Sequence, residues 1–133
     1  MPDRSNKRNH KHQGGISGER SMELHVRQIE GNITAVELDG EMDLYNSQEL
    51  KDLIQRTYGT SPRGLILDFG KLGYIDSSGI SVLLFAFTQA KKQGVQISFV
   101  NVHGPVRKVI ELTSLLGFFP IADSYDEALG MMN

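Results

Sequence analysis

Apolar and polar positions alternate, cluster and recur along this chain in a way that outlines nine elements. From Met22 onward, Leu24–Ile29 and Ile33–Leu38 read as short strands, and Gly31-Asn32 between them is a turn pair that closes a hairpin. Asp39-Gly40-Glu41-Met42-Asp43-Leu44 follows and reads as an acidic loop. Asn46, with Glu49 three residues on, has the form of a capping box opening a helix to about Tyr58. On that helix Leu50, Leu53 and Ile54 share one face while Lys51, Asp52 and Gln55 lie outside. Gly64–Asp68 is a continuous apolar run, as expected of a central strand buried on both faces.

The stretch Gly70–Asp76 reads as a polar loop leading to the most apolar helix of the chain, about Ser77 to Gln93, with Gly94 as its C-terminal cap. Ile80, Val82, Leu83, Leu84, Phe85, Ala86 and Phe87 make that helix apolar almost all round, so it should pack into the body and hold its N-terminus rigidly. Val95, Ile97 and Phe99 alternate in a further strand. Pro105 suits the first turn of a third helix carrying Val106, Val109 and Ile110. After Phe118-Phe119-Pro120-Ile121, Ser124 and Glu127 pair as a capping box for a short last helix. The order is β-β-α-β-α-β-α-β-α, which predicts an α/β fold with about four helices on a mixed sheet of four or five strands.

Residues 1–21 break the pattern. They are polar, without apolar period, and carry five basic residues against two acidic ones, so a charge of +3 precedes a body of about −5. They read as a disordered basic tail before a single domain over 22–133. His10 and His12 on that tail make a poor metal site. The acidic body argues against direct nucleic-acid binding. The 133 residues suffice for one real core, and 39% hydrophobic with 23% charged residues is ordinary for a globular protein. No window approaches the roughly 18 apolar residues of a membrane span, and the N-terminus lacks a signal-peptide core, so a cytoplasmic location is expected. The absence of cysteine excludes disulfides, thiolate catalysis and cysteine-ligated metals.

Few groups are available for chemistry. Asp39, Glu41, Asp43, Asp68 and Asp76 are the one concentration of acids, yet Asp39–Asp43 lacks the calcium-loop spacing and no Gly-rich phosphate loop appears. Turns and helix caps are the commoner use of such residues. A Ser-His-acid hydrolase would need Ser77 in a nucleophile elbow, which Asp76-Ser77-Ser78-Gly79 is not, and the folded part offers only His25 and His103. The expectation is a protein that is not an enzyme and needs no cofactor or metal. What remains is a serine at a helix N-terminus, where unpaired N–H groups favour negative charge, with Gly79 expected to keep the first turn open to a partner. Plain helix capping by these serines is the competing reading.

Three segments together resemble the STAS domain of the anti-anti-sigma factor (anti-sigma factor antagonist) family, over about residues 22–130. They are Gly40-Glu41-Met42-Asp43; Leu65–Asp68 with Leu72-Gly73-Tyr74-Ile75-Asp76-Ser77-Ser78-Gly79; and Leu112–Leu115 through Phe119-Pro120 with Asp126–Leu129. The resemblance implies that Ser77 is phosphorylated by a partner that is both anti-sigma factor and serine kinase, and that a PP2C-type phosphatase resets it. It implies further that Asp43 lies near the switch with Asp76, Ser78 and Gly79; Ser78, one residue further into the helix, reads as structural. The unphosphorylated protein, a monomer or weak dimer, would bind the kinase and free a sigma factor. STAS domains also serve lipid-transport and stress-signalling assemblies without sigma-factor control, and that role is the alternative.

Overall fold

The computed structural model describes residues 21–132. Its elements are β1 (Met22–Ile29), β2 (Ile33–Met42), α1 (Ser47–Tyr58), β3 (Gly64–Ile75), α2 (Ser77–Gln93), β4 (Gln96–Val100), α3 (Gly104–Leu112), β5 (Ile121–Ala122) and α4 (Tyr125–Met131). The predicted order holds throughout. One five-stranded sheet runs β1-β2-β3-β4-β5, antiparallel at the β1–β2 hairpin and parallel elsewhere.

Because β2, β3, β4 and β5 are parallel neighbours taken in chain order, right-handed crossovers put α1, α2 and α3 on one face. Alternation along each strand then feeds two clusters. Val36, Leu38, Leu65, Leu67, Phe69 and Phe99 meet Leu50 and Ile54 of α1, Leu83 and Ala86 of α2, and Val106 and Ile110 of α3. Ile33, Ala35, Ile66 and Val100 face the other way and meet Ala128 and Met132 around α4. Each fully buried Leu or Ile stabilises the fold by about 1.5–3 kcal/mol, so the first cluster dominates the core. The Tyr58 hydroxyl, donating to the Ala86 carbonyl at 2.7 Å, ties α1 to α2 inside it. Gly94 ends α2 in the left-handed conformation (φ 71°), as the sequence predicts.

Two expected loops are strands. Asp39–Met42 continues β2, and Gly70–Ile75 continues β3, because the two extensions pair with each other: Asp39 with Lys71, Gly40 with Leu72, Glu41 with Tyr74 and Met42 with Ile75. Polar residues are tolerated there because β4 pairs only with Gly64–Asp68 and leaves the rest of β3 beyond it. Register shifts at Glu37/Asp39 and Gly40/Glu41 interrupt the alternation. Gly40 sits at one of them with φ 128°, where a Cβ would fall 2.3 Å from the Ser21 carbonyl oxygen. That carbonyl accepts the Glu41 N–H at 2.9 Å, so Ser21, expected to end a disordered tail, is tied to the sheet. The remaining tail, with His10 and His12, lies outside the described residues.

The expected Asn46–Glu49 capping box does not form. Asn46 is the N-cap residue of α1 but its side chain makes no cap bond to the helix. At α4 the box is half-made: Ser124 Oγ accepts the Glu127 N–H at 3.1 Å, while Glu127 Oε1 accepts from Asp123 N–H at 2.5 Å.

Candidate functional site

Met42 and Ile75 are register partners at the ends of adjacent parallel strands, so the next residues, Asp43 and Asp76, leave the sheet side by side. Neighbouring strands lie about 4.8 Å apart. The site is therefore built by the paired extensions of β2 and β3, and the rigid core below fixes it.

Asp76 is the N-cap of α2. Its backbone is extended (φ −115°, ψ −170°), and Oδ1 accepts the N–H groups of Ser78 at 3.0 Å and Gly79 at 3.2 Å. The same oxygen accepts the Ser78 hydroxyl at 2.5 Å. Partial burial pushes the Asp76 carboxyl upward, but hydrogen bonds from the Ser78 hydroxyl and from the N–H groups of Gly79, Ser78 and Leu44 outweigh it and hold the group below the ordinary carboxylate range. The two serines thus differ. Ser78 is half-buried and engaged, whereas Ser77 is exposed and its hydroxyl makes no hydrogen bond among the described residues.

Asp43 is turned into its own loop. Its Oδ1 accepts the N–H groups of Tyr45 at 2.9 Å and Asn46 at 3.2 Å, and its own N–H donates to Asn46 Oδ1 at 2.9 Å. Asn46 Nδ2 completes the loop on the Glu41 carbonyl at 2.9 Å, which is why it is not free to cap α1. Asp43 is 6% exposed. Between these anchors the loop presents Leu44 and Tyr45, 67% and 69% exposed, two adjacent large side chains left in water. Sequence reasoning missed them.

Gly79 corrects an expectation. It is buried, and a Cβ there would come within 2.5 Å of Ile75 Cγ1 and 3.2 Å of Met42 Sδ. Its lack of a side chain lets the first turn of α2 settle onto the ends of β2 and β3; it does not open that turn to a partner. Two of the N–H groups expected to receive an anion are also taken, since Asp76 already accepts from Ser78 and Gly79.

The other acids are dispersed. Asp68 is buried, with Oδ1 accepting from Gly70 N–H at 2.9 Å and Asn101 Nδ2 at 3.0 Å, and Oδ2 accepting the Tyr125 hydroxyl at 2.9 Å. Burial first, then the hydrogen bond and charge of Asp68, push the Tyr125 phenol up to about 12, against a smaller pull from Arg27, whose guanidinium lies 4.9 Å over the ring. Asp39 lies beside His25 on the hairpin, at 3.5 Å. His103 is the N-cap residue of α3 without a side-chain cap bond; its Nε2 lies 3.0 Å from the Gly70 carbonyl. Among the described residues neither histidine hydrogen-bonds Ser77, so the hydrolase arrangement is not assembled.

Comparison with known proteins bears on the fold and the family. The STAS domain family model matches residues 24–128. A Bordetella bronchiseptica protein, BtrV, described as a candidate anti-sigma factor antagonist, is 29% identical over 107 residues, 80% of this chain and 91% of that one. An anti-sigma F factor antagonist of Paenibacillus polymyxa is 27% identical over 101 residues, 73% of this chain and 84% of that one. The crystal structure of an anti-sigma factor antagonist from Mycobacterium paratuberculosis superposes with a TM-score of 0.76 at 25% identity, over 84% of this chain and 94% of that one. Among the described residues no helix is long and apolar enough to cross a membrane.

Proposed function

The chain belongs to the STAS domain family, and we propose that it acts there as an anti-sigma factor antagonist whose binding is switched by phosphorylation of Ser77. The carrying observation is the contrast between the two serines. Ser77 presents an exposed hydroxyl, without a hydrogen bond among the described residues, at the first position of α2, while Ser78 spends its hydroxyl on Asp76. A kinase can reach the first without disturbing the cap. Ser77 Oγ would attack the γ-phosphorus of ATP held by the partner, with ADP leaving and the hydroxyl proton passing to the kinase's base.

The partner we propose is an anti-sigma factor with serine kinase activity, docking on Ser77 and on the exposed Leu44 and Tyr45 beside it. A serine phosphatase of the PP2C type would restore the free hydroxyl, and the cycle would run in the cytoplasm. Leu44 links the two halves of this surface, since its backbone N–H helps to hold the Asp76 carboxyl low while its side chain stays in water. A phosphate would bring about −1.5 to −2 charges to the middle of that surface. The binding chemistry is apolar contact at the loop and a neutral hydroxyl at the helix, and the phosphate opposes the second.

The test is a capture experiment from the native host with Ser77→Ala and Ser77→Asp baits, followed by incubation of the captured kinase with ATP and the wild-type chain. The expected result is a small ATP-binding serine kinase held by the alanine bait alone, and one phosphoryl group on Ser77 by peptide mass spectrometry. Equal capture by both baits, with membrane or scaffold proteins dominating, would reject the switch in favour of a STAS scaffold role.

A further inference from the structure

We infer that Glu23, His25 and Asp39 form a binding site for a divalent cation of tetrahedral preference, Zn²⁺ being the best match. In the β1–β2 hairpin Glu23 is the register partner of Asp39, Leu24 of Leu38, and His25 of Glu37. Leu24 and Leu38 point into the core, so Glu23, His25 and Asp39 stand on the opposite face of the ribbon. His25 Nε2 lies 3.4 Å from Glu23 Oε1 and 3.5 Å from Asp39 Oδ2, and the three donor atoms all fall within 4.8 Å of one another.

Those separations are long for hydrogen bonds, which favour about 2.7–3.2 Å. The two imidazole–carboxylate separations match the edge of a coordination tetrahedron: metal bonds of about 2.0–2.2 Å to nitrogen and oxygen put neighbouring donors ~3.4 Å apart. One imidazole and two carboxylates are a donor set for a borderline ion, with the fourth vertex left to water.

A second observation, independent of the distances, is the charge pattern. Glu23 and Asp39 place two carboxylates directly opposite each other across an antiparallel pair, where like charges destabilise. Lys71, the register partner of Asp39 on β3, turns its ammonium to Glu37 at 3.8 Å instead. Among the described residues no lysine or arginine forms an ion pair with Glu23 or Asp39; the imidazole is their one cationic candidate. A dication between them converts the repulsion into coordination. The donors ride on two strands locked over eight register pairs, so little ordering is left for the ion to impose. Binding would staple the edge strand β1 to β2 just before β2 runs on to Asp43. The ion site stands apart from Ser77 and does not depend on the switch.

The experiment uses the full-length chain carrying His10→Asn and His12→Asn, so that tail imidazoles add no sites, titrated with Zn²⁺ and Co²⁺. We expect one equivalent bound, movement of the His25 imidazole nitrogens in ¹⁵N spectra, strong visible absorption from tetrahedral Co²⁺, and a thermal midpoint that rises with Zn²⁺ concentration. His25→Asn should weaken binding by more than about tenfold, since even loss of an outer-shell partner costs ~10–100-fold. Asp39→Asn should raise the midpoint without metal, by relieving the repulsion, and abolish the response to Zn²⁺. No binding by the full-length chain, affinity within twofold in His25→Asn, or ¹⁵N shifts confined to His103 overturns the assignment.

Discussion

Replacing Asp76 with alanine isolates the cap on which the proposed switch surface rests. The substitution removes an acceptor used by two backbone N–H groups at 3.0 and 3.2 Å and by the Ser78 hydroxyl at 2.5 Å. Loss of an N-cap side chain costs ~0.5–2 kcal/mol. The upper end applies here, because α2 is buried along one side by Ile80, Val82, Leu83, Ala86 and Ala90 and cannot fray freely. We expect about 2 kcal/mol, which in a domain of this size lowers the thermal midpoint by roughly 8 °C. Asp76→Asn keeps a neutral acceptor and forfeits only the charge-assisted part, about 1 kcal/mol. Urea unfolding at constant slope is the assay. Its pH dependence supplies an independent check. The folded-state pKa of Asp76 is lowered, so its stabilisation is complete above the unfolded value near 3.8, shrinks as pH falls through it, and is gone below the folded pKa. The gap between wild type and Asp76→Asn should therefore close as the pH drops below about 4. Equal losses in the alanine and asparagine variants, or a gap that does not close in acid, would refute the charged cap.

Three further outcomes follow from the same geometry. Ser77→Ala should leave the urea midpoint unchanged, while Ser78→Ala should cost about 1 kcal/mol through its lost bond to Asp76, so the two serines separate in one unfolding experiment. Gly79→Ala should destabilise by up to roughly 2 kcal/mol: overpacking against Ile75 Cγ1 at 2.5 Å, worth about 1–3 kcal/mol, opposes a helix-propensity gain of about 1 kcal/mol. Tyr125→Phe should cost about 1–3 kcal/mol by stripping a donor from buried Asp68, and should remove the phenol titrating at about 12 from the ultraviolet pH profile. Since that pKa is raised, wild type should also lose stability relative to Tyr125→Phe as pH climbs from about 10 towards 12.

The order of elements was legible because each announces itself locally: the Gly31-Asn32 turn has both residues at positive φ, Gly94 closes α2, and Gly64–Phe69 is buried throughout. The ends of β2 and β3 were not legible. Their stability comes from pairing with each other, and Asp39, Glu41, Lys71 and Gly73 hide the inward set of Leu38, Met42, Leu72 and Ile75, which the register shifts put out of step. The position of Asp76 ahead of a helix could be read from its neighbours, and different roles for Ser77 and Ser78 were expected, but the bond that engages the Ser78 hydroxyl on Asp76 depends on a rotamer that no sequence pattern gives. Leu44 and Tyr45 carry no signal of exposure, since an apolar pair before a helix ordinarily packs. The Asp68–Tyr125 bond spans 57 residues and no local pattern announces it.

Because Asp76 already occupies the N–H groups of Ser78 and Gly79, a phosphate on Ser77 cannot take those two without evicting the cap. It would therefore face a carboxylate, and the cost depends on what surrounds the pair. Unit charges ~4 Å apart repel by about 1 kcal/mol in water and by about 4 kcal/mol at an effective dielectric of ~20. With about −1.5 to −2 charges on the phosphate, the free protein would bear ~2 kcal/mol and a water-excluding interface several times that. The difference exceeds the ~1–3 kcal/mol typical of coupled sites. A partner that closes over Leu44, Tyr45 and Ser77 would thus lose affinity by electrostatics alone, with no rearrangement of the sheet. Neutralising the carboxylate should blunt the effect: in Asp76→Asn the affinity ratio between unphosphorylated and phosphorylated forms should shrink at least fivefold. A ratio unchanged by that substitution would mean that the phosphate acts by steric exclusion and not through Asp76.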